Sequence, residues 1–298
     1  MSQHLFQGSF PALPTPFIAD HNNQEIDKSA FEKLIHHHIN NGSHGLVPTG
    51  TTGESPTLSF EEHFAVIDMA VQINQKKLPI VAGTGANSTQ EAIEVTQKAQ
   101  KLGVDAALIV APYYNRPTQE GIYQHFKAIH NATDLPIFLY NVPGRTASDI
   151  TPETTARLYE LPRIIGIKDA TGDVERISYL RHLCGHDLVI FSGEDGSAIG
   201  AAAHGADGCI SVTANAAPAL CAQFQNALLA QDFVTALKIQ DTLYPLHKAL
   251  FKEPNPVAIK TALNLLGIMS DNVRLPLVKT SQSLKTELTT HLKNIGLL

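Results

Sequence analysis

The sequence of 298 residues is poor in cysteine, which occurs three times and never as a CxxC pair. Cys184, Cys209 and Cys221 therefore indicate neither a disulfide framework nor a structural zinc site, and we predict that they are small core residues. The run His36–His38 does not suggest a metal site either, because three successive side chains of a helix point in different directions. We interpret this run as solvated helix surface.

The sequence also lacks clusters of lysine and arginine, and its formal net charge is -6 at pH 7. Nucleic acids and anionic membranes bind clustered basic residues, so we expect neither as a partner and expect a small-molecule ligand instead. No apolar run approaches the length of about 18 residues that spans a bilayer. Residues 1–6 show no basic region followed by an apolar stretch. We expect a cytoplasmic protein.

The composition, with 43% hydrophobic and 17% charged residues, supports a substantial buried core and shows no sign of disorder. Eight short apolar runs alternate with helical patterns along the first two thirds of the chain. We predict strands at 10–13, 45–47, 79–82, 106–111, 136–140, 164–168, 188–191 and 208–212. We predict the intervening helices at 27–40, 59–74, 89–102, 119–131, 151–158, 174–183 and 197–204.

Strict alternation of strand and helix predicts a parallel sheet, and eight repeats predict closure into a (β/α)8 TIM barrel. Only helical patterns follow, at 219–230, 233–247, 256–266 and 281–293. A barrel needs only one helix after its last strand, so these four patterns exceed what finishes the barrel. We therefore predict a barrel unit at 1–217 and a C-terminal helical subdomain at 218–298. Residues 253–256, EPNP, should form a rigid turn between two of its helices.

The carboxyl ends of barrel strands carry the active site, and one predicted strand stops there at Lys168. At the edge of an apolar barrel an ammonium loses hydration, which favours the neutral amine that attacks a carbonyl to form a Schiff base. A lysine at a strand end more often only places its ammonium in water. The residues at the other strand ends therefore decide between a catalytic and a solvated lysine.

The turn at 50–55 follows the second predicted strand and combines two glycines with hydroxyl and amide groups that can cradle a small anion. An ordinary loop in which Ser55 or Ser59 caps the next helix explains this pattern as well. Two further strand ends carry phenols and a guanidinium, which transfer protons and hold carboxylates respectively: Tyr113, Tyr114, Tyr140 and Arg145. Segments 192–195 and 209–213 add small residues and free amide groups.

Seven sequence words stand in register at these positions: GTTGES, APYYNRPTQEG, YNVPGRT, IGIKDATGD, SGEDG, GCISVTAN and EPNP. In this order and spacing they closely resemble the dihydrodipicolinate synthase family of pyruvate-dependent aldolases, from about residue 6 to the last residue. The resemblance implies condensation of pyruvate with L-aspartate 4-semialdehyde, the first committed step toward diaminopimelate and lysine. It also implies that no metal or organic cofactor takes part.

The resemblance assigns the catalytic roles. Lys168 matches the Schiff-base lysine, whose protonated imine with pyruvate loses a methyl proton to become an enamine nucleophile. Tyr140 matches the proton donor and acceptor, with Thr51 and Tyr114 completing a relay to solvent. The implied substrate contacts are Thr52 and the main chain of Ile210 for the pyruvate carboxylate, Arg145 for the carboxylate of the second substrate, and Gly193 in the pocket wall.

The resemblance further implies a homo-oligomer, expected to be a tetramer, in which the segment around Tyr113 and Tyr114 crosses between subunits. Some members of the family bind L-lysine, the end product, at that interface. Phe60 stands where several lysine-sensitive members have histidine, and Pro56 replaces a small residue. The matching positions are Ser55, His63, Asn87, Glu91 and Tyr113.

Three alternative functions account for part of this pattern. N-acetylneuraminate lyase would share Lys168 and Tyr140, but Arg145 directly after Val-Pro-Gly suits a short carboxylated aldehyde better than a sugar acid. A catalytically dead binding protein would have no reason to retain Lys168 together with both tyrosines. A phosphate-binding barrel isomerase is disfavoured because the acidic segment 192–195 would repel phosphate.

Overall fold

The computed structural model describes residues 5–18 and 25–298. Within these ranges seven parallel strands form one sheet in the order β1-β7-β6-β5-β4-β3-β2. The strands are β1 Gly8–Pro11, β2 Val81–Gly83, β3 Ala106–Val110, β4 Ile137–Asn141, β5 Ile164–Asp169, β6 Val189–Ser192 and β7 Gly208–Ser211. Each is followed by helical structure, as parallel pairing requires.

The ring closes through residues 46–48, which lie between β1 and β2. On one side Val47 N donates to Pro11 O at 3.0 Å, and on the other Leu46 N donates to Pro79 O at 2.9 Å. The prediction of an eight-membered barrel is confirmed, although this segment forms single bridges rather than a ladder. Pro48 explains the difference, because a residue without an N–H group cannot extend a ladder.

All eleven predicted helices are present in the described part of the chain, and several begin at a Ser, Thr or Asp whose side chain accepts an amide of the first turn. No sequence pattern predicted α5, a single turn after β4. The helices are α1 Lys28–Asn40, α2 Phe60–Asn74, α3 Thr89–Leu102, α4 Gln119–Ala132, α5 Pro143–Thr146, α6 Pro152–Tyr159, α7 Glu175–Cys184, α8 Ala198–Ala203, α9 Pro218–Leu229, α10 Phe233–Ala249, α11 Val257–Leu265 and α12 Gln282–Asn294.

The barrel interior is filled by aromatic side chains. Phe191 contacts Phe10 and Phe138, with ring centroids 4.9 and 5.7 Å apart, and Phe6 meets Phe138 edge-on at 5.2 Å. A second apolar layer lies between the sheet and the surrounding helices. Because the faces of the strands are largely buried, we expect the polar side chains that line a cavity to lie at the strand ends.

The C-terminal helices pack on one another and on the barrel. Helix α9 lies against β1, α10 packs on α9 and α12, and α11 packs on α12. Residues 253–256 form the predicted turn between α10 and α11. The division at 217/218 stays a prediction, and the barrel unit it defines includes residues 1–4 and 19–24, which lie outside the described ranges.

The interpretation of the histidine run as solvated surface was wrong for His38, which is fully buried. Its Nδ1 lies 3.1 Å from Ser43 Oγ and its Nε2 lies 3.2 Å from Asn215 Oδ1. Burial is the main cause that lowers its pKa to about 3, so the ring is neutral at pH 7. The last position of an amphipathic helix face brought this polar side chain into the core, where two hydrogen bonds satisfy it.

Cys209 and Cys221 are buried as predicted, and Cys184 is half-buried. The described residues contain no group of three or more His, Cys, Asp or Glu arranged to hold a metal ion. Among the helices of the same ranges, none has the length and apolar character that crossing a membrane requires.

Candidate active site

A cavity of about 220 Å³ opens at the carboxyl ends of the strands. Seven of the eight residues assigned to catalysis or substrate binding line it together, although they come from five different segments of the chain. They are Thr51, Thr52, Tyr140, Arg145, Lys168, Gly193 and Ile210.

Lys168 and Tyr140 are register partners on the adjacent strands β5 and β4. The Lys168 Nζ atom lies over the tyrosine ring, 4.1 Å from its centroid, and each residue is only 7% exposed. An amine and a phenol that share a small cavity and are themselves largely buried can form a covalent adduct with a carbonyl and move its protons.

Asn141 and Asp169, which follow Tyr140 and Lys168 on their strands, point to the opposite face of the sheet and belong to one network of polar contacts there. Arg176 Nε lies 3.1 Å from Asp169 Oδ2, and Arg176 also pairs with Asp149 at 3.1 Å. Asn141 Nδ2 donates to Asp149 Oδ1 at 2.8 Å and to Asp169 Oδ2 at 3.3 Å. This buried network fixes the ends of β4 and β5 relative to each other, and with them the two side chains in the cavity.

Gly193 can only be glycine, because a Cβ there would stand 2.5 Å from the Ala170 Cβ. Two residues later, the buried Asp195 accepts hydrogen bonds from the Ser211 hydroxyl, from Val212 N at 3.0 Å and from Thr213 N at 3.1 Å. The expectation of free amide groups after the last strand was therefore wrong at these two positions. Asp195 accepts hydrogen bonds from both amide groups and so holds the end of β7 in place.

The glycine-rich segment forms two short 3-10 turns, at Thr51–Gly53 and Ser55–Thr57. Thr15 Oγ1 donates to Gly53 O at 2.7 Å, which anchors the first turn to the barrel. Of the two serines considered as caps, Ser59 caps α2 through a reciprocal pair of bonds with Glu62. The segment before it is thus left to form the cavity wall.

Arg145 is exposed at the mouth, on the single turn of α5, and it lines this cavity as well as a larger neighbouring one. Tyr114 is the residue that the structure does not bring to the cavity of its own chain. It is 88% exposed and has a φ of +74°, in the left-handed region that non-glycine residues seldom adopt.

The larger cavity, of about 840 Å³, brings together four of the five residues assigned to lysine binding: Ser55, His63, Glu91 and Tyr113. Asn87 does not line it but donates from Nδ2 to Tyr113 O at 3.2 Å. Burial, and then the nearby Glu91 carboxylate, raise the pKa of Tyr113. The two departures, Pro56 and Phe60, also line this cavity.

Sequence reasoning missed Asn255, which lines the small cavity with Glu194 and Phe251. Asn255 Nδ2 donates to Thr52 Oγ1 at 2.9 Å, across 203 residues of sequence. The word EPNP contained the signal, but it was interpreted only as a rigid turn. A polar side chain in a turn gives no indication from sequence alone of the distant residue that it will meet.

A model of the dihydrodipicolinate synthetase family matches residues 5–295. The curated 4-hydroxy-tetrahydrodipicolinate synthase of Cereibacter sphaeroides is 52% identical over 294 residues, which cover 99% of this chain and 100% of that protein. A crystal structure of chloride-inhibited dihydrodipicolinate synthase from Acinetobacter baumannii, complexed with pyruvate, is 46% identical with a TM-score of 0.95, covering 98% of this chain and 99% of that one. The Cyanidioschyzon merolae enzyme, crystallised with lysine bound, is 37% identical with a TM-score of 0.95, covering 99% and 100%.

The Arg176 network generates the first prediction. Replacing Arg176 by Met leaves the buried Asp169 without its cation, and the loss of one partner of a buried pair costs about 3 kcal/mol of unfolding free energy. Arg157→Met is the matched control, because Arg157 forms an exposed pair with Glu120 and should change stability by less than about 0.5 kcal/mol. Denaturant unfolding measures both, and equal losses in the two variants would contradict the assigned role.

Proposed function

We propose that Lys168 is the covalent catalyst of this chain. The chain belongs to the dihydrodipicolinate synthetase family. It has the activity of a 4-hydroxy-tetrahydrodipicolinate synthase, a lyase of diaminopimelate and lysine biosynthesis. The observation that carries this proposal is the position of the largely buried Lys168 beside Tyr140 in the cavity at the strand ends. The comparisons favour this activity over the N-acetylneuraminate lyase alternative.

The proposed reaction begins when the neutral amine of Lys168 attacks the keto carbon of pyruvate. The Nζ–C bond forms, the carbonyl oxygen takes one proton from the amine and a second from a proton donor and leaves as water, and a protonated imine remains. Tyr140 is the phenol placed to give and accept these protons. The imine then withdraws electrons from the methyl group, which loses a proton and becomes an enamine.

The enamine carbon attacks the aldehyde of L-aspartate 4-semialdehyde and forms the new carbon–carbon bond. The aldehyde oxygen takes a proton and becomes a hydroxyl group. The amino group of that substrate then adds to the imine carbon and displaces Lys168, which closes the ring and restores the free amine. The wall that carries Thr52 and Ile210 supports binding of the pyruvate carboxylate. The guanidinium of Arg145 at the mouth suits the carboxylate of the second substrate.

Tyr114 extends the proposal to a second copy of the chain. An aromatic side chain that is 88% exposed next to the mouth is poorly placed to serve its own cavity. Its left-handed φ of +74° is a strained conformation that a packed interface would hold. We infer that Tyr114 completes the proton relay in the site of a partner copy, so that the active unit contains at least two chains, with a tetramer as the expected assembly.

The larger cavity supports binding of L-lysine as a regulator. Glu91 can pair with the side-chain ammonium. We propose that the carboxylate binds on the side of Asn87, which does not line the cavity but donates to the main chain of Tyr113. Because Tyr113 directly precedes Tyr114, occupation of this cavity would act on the proposed relay. Phe60, stacked on Phe64 at 6.2 Å, offers no polar contact, so we expect partial inhibition at millimolar lysine.

The covalent step is tested by incubating the protein with pyruvate and borohydride and mapping the adduct by mass spectrometry. We expect a stable adduct on Lys168, none in Lys168→Ala, and none in Lys168→Arg, because arginine stays protonated. Tyr140→Phe should still be trapped but should turn over two to four orders of magnitude more slowly. An adduct on any other lysine would refute the assignment.

The role of Arg145 is tested by separate Michaelis constants for the two substrates. Arg145→Ala should raise KM for the semialdehyde by at least about tenfold, through loss of a charge-assisted pair, and should leave KM for pyruvate nearly unchanged. Arg157→Ala removes a guanidinium from the surface and is the matched control. A larger rise in KM for pyruvate than in KM for the semialdehyde would contradict the assignment of Arg145 to the second substrate.

Lysine binding is tested by titration calorimetry together with rates at increasing lysine concentration. Glu91→Gln should weaken binding by about tenfold, because it removes the charge that meets the ammonium. Glu94→Gln, one turn further along α3 and bonded only to its neighbour Gln90 in the described contacts, should bind as the unmodified chain does. The absence of both heat and inhibition at high millimolar lysine would rule out this regulation.

A further inference from the structure

Two contacts join the C-terminal helices to the turn that carries Thr51 and Thr52. The first is the hydrogen bond from Asn255 Nδ2 to Thr52 Oγ1, at 2.9 Å, between two residues that are 7% and 3% exposed. The second lies one residue beyond the turn, where Glu54 forms an ion pair with Lys260 of α11. The same turn that lines the cavity is therefore held from the C-terminal side of the protein.

The direction of the first hydrogen bond is fixed by chemistry. An amide NH2 group can only donate, so the Thr52 hydroxyl oxygen accepts from Asn255 and its own hydrogen points elsewhere. No acceptor for that hydrogen is found among the described residues, and Thr52 lines the cavity. The hydroxyl is thus left to donate into the space where the pyruvate carboxylate is proposed to bind.

Asn255 makes few other demands on its surroundings. Within residues 5–18 and 25–298, its Oδ1 is buried and has no hydrogen-bond partner. The contact with Thr52 is therefore the polar interaction that the side chain makes in this part of the chain. Its removal should act chiefly on Thr52 rather than on a wider network.

The second contact holds the backbone of the same turn. The Lys260 and Glu54 side chains are 0% and 1% exposed, Lys260 Nζ also donates to Asn272 O at 2.8 Å, and Arg274 N donates to Glu54 Oε2 at 3.0 Å. Glu54 has a φ of +55°, which a non-glycine residue keeps only where its surroundings impose it. A buried ion pair adds little net stability over apolar residues, so fixing this conformation is its clearer effect.

We propose that Asn255 is a positioning residue that sets the donor direction of the Thr52 hydroxyl and so makes the cavity selective for carbonyl substrates that carry an adjacent carboxylate. The proposal rests on the proposed function of Lys168 and deepens it. The selectivity for a 2-oxo acid then comes from the C-terminal helices as well as from the barrel. Lys260 supports this arrangement, because its ion pair with Glu54 holds the turn in the conformation in which Thr52 accepts the hydrogen bond from Asn255.

The test is a double-mutant cycle on Asn255 and Thr52, with KM measured separately for pyruvate and for the semialdehyde. Asn255→Ala should raise KM for pyruvate by about tenfold, the usual effect of losing one polar contact, with kcat and KM for the semialdehyde changed less than about twofold. Asn255→Asp should raise it further, because the carboxylate accepts the Thr52 hydrogen and repels the substrate. In a Thr52→Val background, Asn255→Ala should have no additional effect.

Lys252→Met is the matched control, because Lys252 belongs to the same turn region and pairs with Glu287 away from the cavity. It should leave both Michaelis constants unchanged. Asn255→Asp is nearly isosteric, so it keeps the test valid if the alanine variant does not fold.

Borohydride trapping distinguishes a failure of the proposed function from a failure of the inference about Asn255. If pyruvate is not trapped on Lys168 of the unmodified chain, the proposed function fails. If it is trapped there, but the folded Asn255 variants keep the original KM for pyruvate, the inference alone is overturned. It is also overturned if Asn255→Ala has the same effect with and without the Thr52 hydroxyl.

Discussion

The parallel pairing of β4 with β5 is the constraint on which the site depends. It places Tyr140 opposite Lys168 and, one residue later, Asn141 opposite Asp169. Because successive side chains of a strand point to opposite faces, the first pair enters the cavity and the second pair faces the helices. Arg176 then ties the outer pair to the rest of the barrel, so the geometry of the reactive pair is set by a buried network that never touches substrate.

The C-terminal helices are part of the same mechanical unit. They contact the cavity wall through Asn255 and hold the backbone beside it through Lys260. The burial of the Glu54–Lys260 pair lowers the pKa of Lys260 to about 8, while the Glu54 carboxylate opposes that shift. Two ionisable groups taken completely out of water must be precisely placed to coexist, which is a strong reason for the turn to keep one conformation.

The sequence predicted the barrel because strand and helix periods alternate without interruption, and it predicted which segments meet at the cavity because parallel strands end at one edge. The individual roles of Thr52, Gly193 and Ile210 came from the family resemblance. The sequence could not predict which residues would support them. His38, Asn255 and Lys260 each meet partners far away in the chain, and no local pattern marks such contacts. The bridge-only pairing at 46–48 was missed for a different reason: the apolar run is typical of a strand, while Pro48 limits the ladder that it can form.

A crystal structure of the protein soaked with pyruvate would show whether Lys168 is the covalent catalyst. We expect continuous density from Lys168 Nζ to the former keto carbon, with the carboxylate of the adduct within hydrogen-bonding distance of the Thr52 hydroxyl and of the main chain at Ile210. Pyruvate bound without a covalent bond to Lys168, or an adduct whose carboxylate points to Arg145 instead of Thr52, would contradict it.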